Sequence, residues 1–173
     1  WAYAQSSKDK PKHVGTTTCI GCHSEYLEDW KQSHHGWAWN VPDERHVLAD
    51  FSGTHFDSPD LSAKFYKNGS QFIVETLGQD GKRKTFPVHS TAGVAPLQQY
   101  LLEVEKGRLQ AFDLAWDTEK KRWYHLYPNQ SIGVSDGLHW TGPYKNWNAR
   151  CAECHATGYK KNYDLRARRY ASV

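Results

Sequence analysis

All four cysteines of this chain fall in two copies of one five-residue pattern, Cys19-Ile20-Gly21-Cys22-His23 and Cys151-Ala152-Glu153-Cys154-His155. This is the spacing of a c-type haem attachment site. Two thiols with two residues between them reach the two vinyl groups of one porphyrin, and the residue that follows projects an imidazole onto the iron. One short turn therefore tethers the ring and supplies its proximal ligand. The pattern predicts two covalently bound haems c, one on Cys19 and Cys22 with His23 on its iron, the other on Cys151 and Cys154 with His155.

Two other chemistries use paired cysteines. Two CxxC pairs can close a tetrahedral zinc site, and a single pair can form a disulfide or a thioredoxin-like redox centre. Neither accounts for a histidine directly after each pair, and the haem reading accounts for both.

The composition is consistent with a core completed by large apolar groups. Counting glycine and leaving out tyrosine, the apolar share is about 40%, below the usual 45–50%. Rings are abundant instead, with 8 Trp, 10 Tyr and 6 Phe. Net charge is only +3 and unclustered, which does not point to nucleic acid. No apolar run is long enough for a membrane span. Methionine is absent, so the expectation is a processed chain, and none can serve as an iron ligand. Ala2-Tyr3-Ala4 before Gln5 resembles a small-x-small export cleavage site. Residues 1–15 are expected to be an exported leader or flexible N-terminus, and 16–173 one dihaem domain in the periplasm or outside the cell.

From Ser24 to Trp37 the spacing of Tyr26, Leu27, Trp30 and Trp37 predicts a helix. Asn68-Gly69 between two alternating runs is a strong hairpin signal, and Asp80-Gly81 offers a second turn. Further strands are expected at 85–88, 100–104, 109–116 and 122–127, with a turn at Lys106-Gly107. A loop is expected over 128–142 and a short helix over 146–155. The predicted fold is α+β with much irregular structure, haem-attachment helices at both ends flanking an antiparallel β-meander.

A second axial ligand has to come from elsewhere. His/Met ligation is impossible within this chain, so the eight histidines outside the motifs favour bis-His iron at low potential. His34 and His35 close the predicted helix, His125 lies on a predicted strand, and His139 precedes Trp140 in a glycine-rich loop. An unbroken helix cannot offer His23 and His35 to opposite faces of one iron. His34 or His35 would then serve the other haem or one in a neighbouring subunit.

The segments Trp30-Lys31-Gln32-Ser33-His34-His35, Pro96-Leu97-Gln98-Gln99-Tyr100-Leu101, Gly107-Arg108-Leu109-Gln110-Ala111, Arg122-Trp123-Tyr124-His125-Leu126-Tyr127-Pro128, His139-Trp140-Thr141-Gly142 and Asn146-Trp147-Asn148 before Cys151 carry a further signal. With them the chain resembles the multihaem cytochrome c module that precedes tetratricopeptide repeats in many bacterial proteins. The resemblance implies His35 as a distal ligand and draws attention to His125 and His139. It also implies a third attachment site beyond Lys161-Asn162-Tyr163-Asp164, which these 173 residues do not contain.

Electron transfer between redox partner proteins or other cytochromes is the expected function, with a homo-oligomer or filament of stacked haems as one form of it. The alternative is a haem enzyme acting on nitrogen or sulfur compounds at one five-coordinate iron. A sensor or docking module in a larger protein is a further reading.

Overall fold

The computed structural model describes residues 12–105 and 107–172. The Ala2-Tyr3-Ala4 site, most of the expected leader and Lys106 of the expected turn lie outside them.

The sheet dominates. Seven antiparallel strands follow one another in space as in sequence: β1 (Ser52–Asp57), β2 (Ser62–Asn68), β3 (Gln71–Leu77), β4 (Arg83–Ala92), β5 (Leu97–Glu105), β6 (Arg108–Asp117) and β7 (Arg122–His125). The β2–β3 hairpin turns at Asn68-Gly69, where Gly69 takes φ +60°, and β3 reaches β4 through Gly81 at φ +70°. Both positions need the left-handed backbone that glycine tolerates.

This sheet curls until it is nearly closed, and helix makes up only 17% of the structure. The expected α+β arrangement with flanking haem-attachment helices is therefore overturned. The reason lies in the rings. Trp123 of β7 stacks on Phe65 of β2, centroids 3.6 Å apart and planes 8° from parallel. Its indole N–H donates to the Asp50 carbonyl just before β1, at 3.3 Å. The last strand is thereby tied to the start of the first. Phe65, Val74, Phe86, Val88, Leu102, Phe112 and Leu114 fill the interior with Trp140, from the irregular stretch after β7. Trp140 meets Phe86 and Phe112 edge to face and donates to the Leu77 carbonyl at 3.0 Å. Burial of these large side chains contributes roughly 1.5–3 kcal/mol each.

Strand β6 is buried on both faces. Phe112, Leu114 and Trp116 belong to the interior, while Leu109 and Ala111 lie under a second cluster with Leu101, Trp147 and Ala152. That outer cluster is the seat of two short helices, α2 (Trp147–Arg150) and α3 (Ala152–His155), preceded by a 3-10 turn at Pro143–Lys145. A small hairpin of β8 (Tyr163–Asp164) and β9 (Arg169–Tyr170) follows.

Near the N-terminus, α1 spans Thr17–Gln32. It begins earlier than the apolar spacing predicts and ends earlier too, because Ser33 turns extended and its hydroxyl donates to the Trp30 carbonyl at 2.6 Å. No residue of α1 is buried. Among the described residues, no helix is long and apolar enough to cross a membrane.

Candidate haem-attachment site

The second motif is bolted to the barrel. The Asn146 side chain caps α2 by accepting from the Ala149 N–H at 2.8 Å. Buried Asn148 accepts from the Leu109 N–H at 2.8 Å and donates to the Gly107 carbonyl at 3.3 Å. Ala152, between the two cysteines, is fully buried against the outer face of the sheet. A larger side chain there would lift the turn off β6. Cys154 and His155 face outward, and Cys151 is half-buried. The Trp147 ring lies 4.8 Å from that of His155. Burial, reinforced by the neighbouring Cys154, pushes the Cys151 thiol above its ordinary range. A reactive thioredoxin-like cysteine needs the opposite shift.

The first motif lies within α1, with Cys19, Cys22 and His23 all exposed. The backbone leaves helical geometry at His23, with φ −130° and ψ 39°, so the helix is kinked at the residue that carries the imidazole. Ile20, Tyr26 and Trp30 expose apolar surface along it.

None of the four cysteines is in a disulfide. Among the described residues, no three His, Cys, Asp or Glu side chains gather where they could hold one metal ion. The two pairs thus do not converge on a four-thiolate centre. Two separate outward-facing CxxCH turns, each with an accessible imidazole, fit the donor set of two c-type haems.

The two motifs are neighbours through their flanks. Beyond α1, Trp39 meets Trp147 with centroids 5.6 Å apart and Tyr159 at 6.2 Å. Ahead of α1, the His13 ring rests against Gly158, three residues past His155. Trp39 is further held by its indole N–H donating to the Ser90 hydroxyl at 2.7 Å. Sequence reasoning did not single out Trp39, and it named Asn148 only as part of the Asn146-Trp147-Asn148 segment, with no role attached. Their roles depend on partners more than a hundred and about forty residues away, and no local pattern marks them.

The expected distal ligands separate into two groups. His34 and His35 are exposed in the turn after α1. The helix stops at Gln32 and is kinked at His23, so the constraint that an unbroken helix would impose on them is lifted. His125 and His139 come together, but at the barrel, where they line a cavity of about 10 Å³ with Asp60, Leu61, Asp113 and Trp140. That is about the room one water needs, and none of the motif residues lines it. His139 is buried, with Nδ1 2.8 Å from the Thr141 hydroxyl. Burial holds its pKa below the ordinary imidazole value, against an opposing pull from Asp136.

Beside this cavity Lys145 and Asp113 form a buried ion pair at 2.8 Å. The ammonium also sits 3.5 Å from the centroid of the Tyr127 ring. Burial raises the Asp113 pKa, and Lys145 pulls it back. The pair clamps the 3-10 turn, and with it the lead-in to the second motif, onto β6. The tryptophans near the motifs and the candidate histidines have different surroundings. Trp140 is core, Trp147 lies beside His155, Trp37 packs on His46, and Trp30 is exposed.

No family model, characterised protein or solved structure matches this chain.

Proposed function

We propose that this protein is a dihaem c-type cytochrome that carries electrons between partner proteins outside the cytoplasm. The observation that carries this reading is the joining of the two CxxCH segments at both flanks, His13 against Gly158 and Trp39 against Trp147. Two groups tethered at these turns would lie side by side on one flank of a rigid barrel, which is what a relay requires.

Bound haem supplies one-electron chemistry at its iron. The chain's own part is to attach, orient and hold. Cys19, Cys22, Cys151 and Cys154 would hold the haems as thioethers, each S–H adding across a vinyl double bond, sulfur to one carbon and hydrogen to its neighbour, so that nothing would leave and no oxidant would be consumed. His23 and His155 each offer a ring nitrogen to iron. The sheet behind Ala152 and Asn148 keeps the second turn from moving as charge comes and goes. With α1 kinked at His23 and ended at Gln32, His35 becomes a candidate to hold the iron at His23, where an unbroken helix would have sent it to the other haem or to a neighbouring subunit.

Expression in a host that matures c-type cytochromes tests the reading. The expected product is red, stains for haem on a denaturing gel, and has the mass of the chain plus two haems. Its spectra should be low-spin in both oxidation states. Colourless protein with four titratable thiols would overturn the proposal. Immediate carbon monoxide binding at one haem of the reduced protein would instead move the assignment to the enzymatic reading.

A further inference from the structure

We infer that His13 is the second axial ligand of the iron held at Cys151–His155. The inference rests on the dihaem reading and names a residue of the same site that neither motif contains.

His13 stands six positions before Cys19, on the segment that carries the first motif, yet its ring lies against the chain just beyond the second. A Cβ placed on Gly158 would fall 2.9 Å from the imidazole Cδ2, 3.2 Å from Cγ and 3.3 Å from Nε2. A side chain at 158 would have to push the His13 ring aside. Gly158 also holds φ +70°, a backbone conformation that favours glycine. The close approach seats an imidazole three residues past a proximal histidine.

The direction of approach fits. Trp147, nearly fully buried in the outer cluster, covers His155 from the barrel side. The side of His155 away from Trp147 is the side open to solvent. The iron's remaining donor would come from a segment on the outside of the motif. His13 and Gly158 are both exposed, and the His13 ring meets the chain at Gly158.

Other histidines are engaged elsewhere. His125 and His139 face the barrel cavity. His46 is paired with Asp43 at 2.8 Å and packed on Trp37. His55 and His89 lie on β1 and β4. His34 and His35 belong to the turn that follows the first motif.

Ligation by His13 would make residues 13–19 a strap between the two centres. Six residues span at most roughly 20 Å when fully extended. The Cys19 α-carbon would then be confined within that reach of the His13 α-carbon, with the two side chains adding to it, and the chain itself would bound the spacing of the relay.

The test uses the mature dihaem protein. In His13→Ala, one of the two low-spin haems is expected to become high-spin, halving the low-spin electron paramagnetic resonance signal. The reduced variant should bind one carbon monoxide per chain. His13→Met should restore six-coordination at a raised potential, as expected for His/Met iron. Wild-type protein offers a check that needs no variant: exposed His13 should resist carbethoxylation in the holoprotein. Two fully low-spin haems in His13→Ala, or ready carbethoxylation of wild-type His13, would overturn the assignment and leave the dihaem reading standing. Colourless wild-type protein would overturn that reading itself.

Discussion

Trp39 meets Trp147 edge to face, with ring planes 62° apart. One indole belongs to the segment after α1, the other to α2, the helix just before the second motif, and the pair joins those segments. Such pairs are worth about 0.5–1.5 kcal/mol beyond the area they bury. Urea unfolding of wild type, Trp39→Ala, Trp147→Ala and the double variant should give a coupling in that range. Strict additivity would mean that the two segments are held together by something else. In the dihaem protein, Trp39→Ala should also slow electron equilibration between the haems, read by flash photoreduction.

The buried Asp113–Lys145 pair predicts a large asymmetry. Removing one partner leaves the other charge buried and alone, which costs about 3–5 kcal/mol. Asp113→Ala should lose that much in denaturant midpoint experiments, since Lys145 would lose its carboxylate partner and keep the Tyr127 ring beside its ammonium. Asp113→Leu combined with Lys145→Met should recover most of the loss. If the double variant is as weak as Asp113→Ala, the pair is not what clamps the 3-10 turn to β6.

Much of the sheet was legible because it is written locally. Asn68-Gly69 and Asp80-Gly81 mark turns by chemistry, and the runs around them alternate as half-buried strands do. Strand β1 escaped because Ser52-Gly53-Thr54 is weakly patterned and contains a register shift against β2. Closure escaped for a different reason. Trp123 and Phe65 are far apart in sequence, and nothing near either announces that they will stack. In α1 the apolar spacing of Tyr26 and Trp30 reads as a buried face, but both are exposed. The periodicity was real, and among the described residues nothing buries that face. At the site, the cysteines and their adjacent histidines were plain from spacing. The pairing of His13 with Gly158 was not, since a single histidine in a polar stretch carries no signal until its neighbour is known.

Acidification should weaken the barrel at His139. Its folded-state pKa is depressed, so the native protein binds fewer protons here than the unfolded chain. Stability is then fully present above the unfolded value near 6.5 and is lost as pH falls from there through the depressed folded value. Asp136 opposes the shift, and Asp60, Asp113 and His125 line the same cavity. Thermal unfolding followed from pH 7.5 down to pH 5 should show this loss in wild type and a smaller one in His139→Asn. Equal slopes in the two proteins would remove His139 as the cause. If the protein carries the proposed haems, the spectrum of His139→Asn should match wild type, because none of the attachment residues lines the cavity.

Trp123 supplies the most direct test of the closed sheet. It stacks on Phe65, meets Phe51 and Trp116 edge to face, and donates to the Asp50 carbonyl. Trp123→Ala removes all of this from the seam between first and last strands. The expected loss is about 3–5 kcal/mol, a large share of the 5–15 kcal/mol typical of a whole domain. Trp123→Phe keeps the stack and gives up the indole N–H, so its loss should be near 1 kcal/mol. Urea midpoints and near-ultraviolet circular dichroism would separate the two. A Trp123→Ala protein within about 1 kcal/mol of wild type would mean that the sheet closes without this residue. A loss several times larger than that of Trp123→Phe would show the stacked ring, and not the hydrogen bond, to be what draws β7 back to β1.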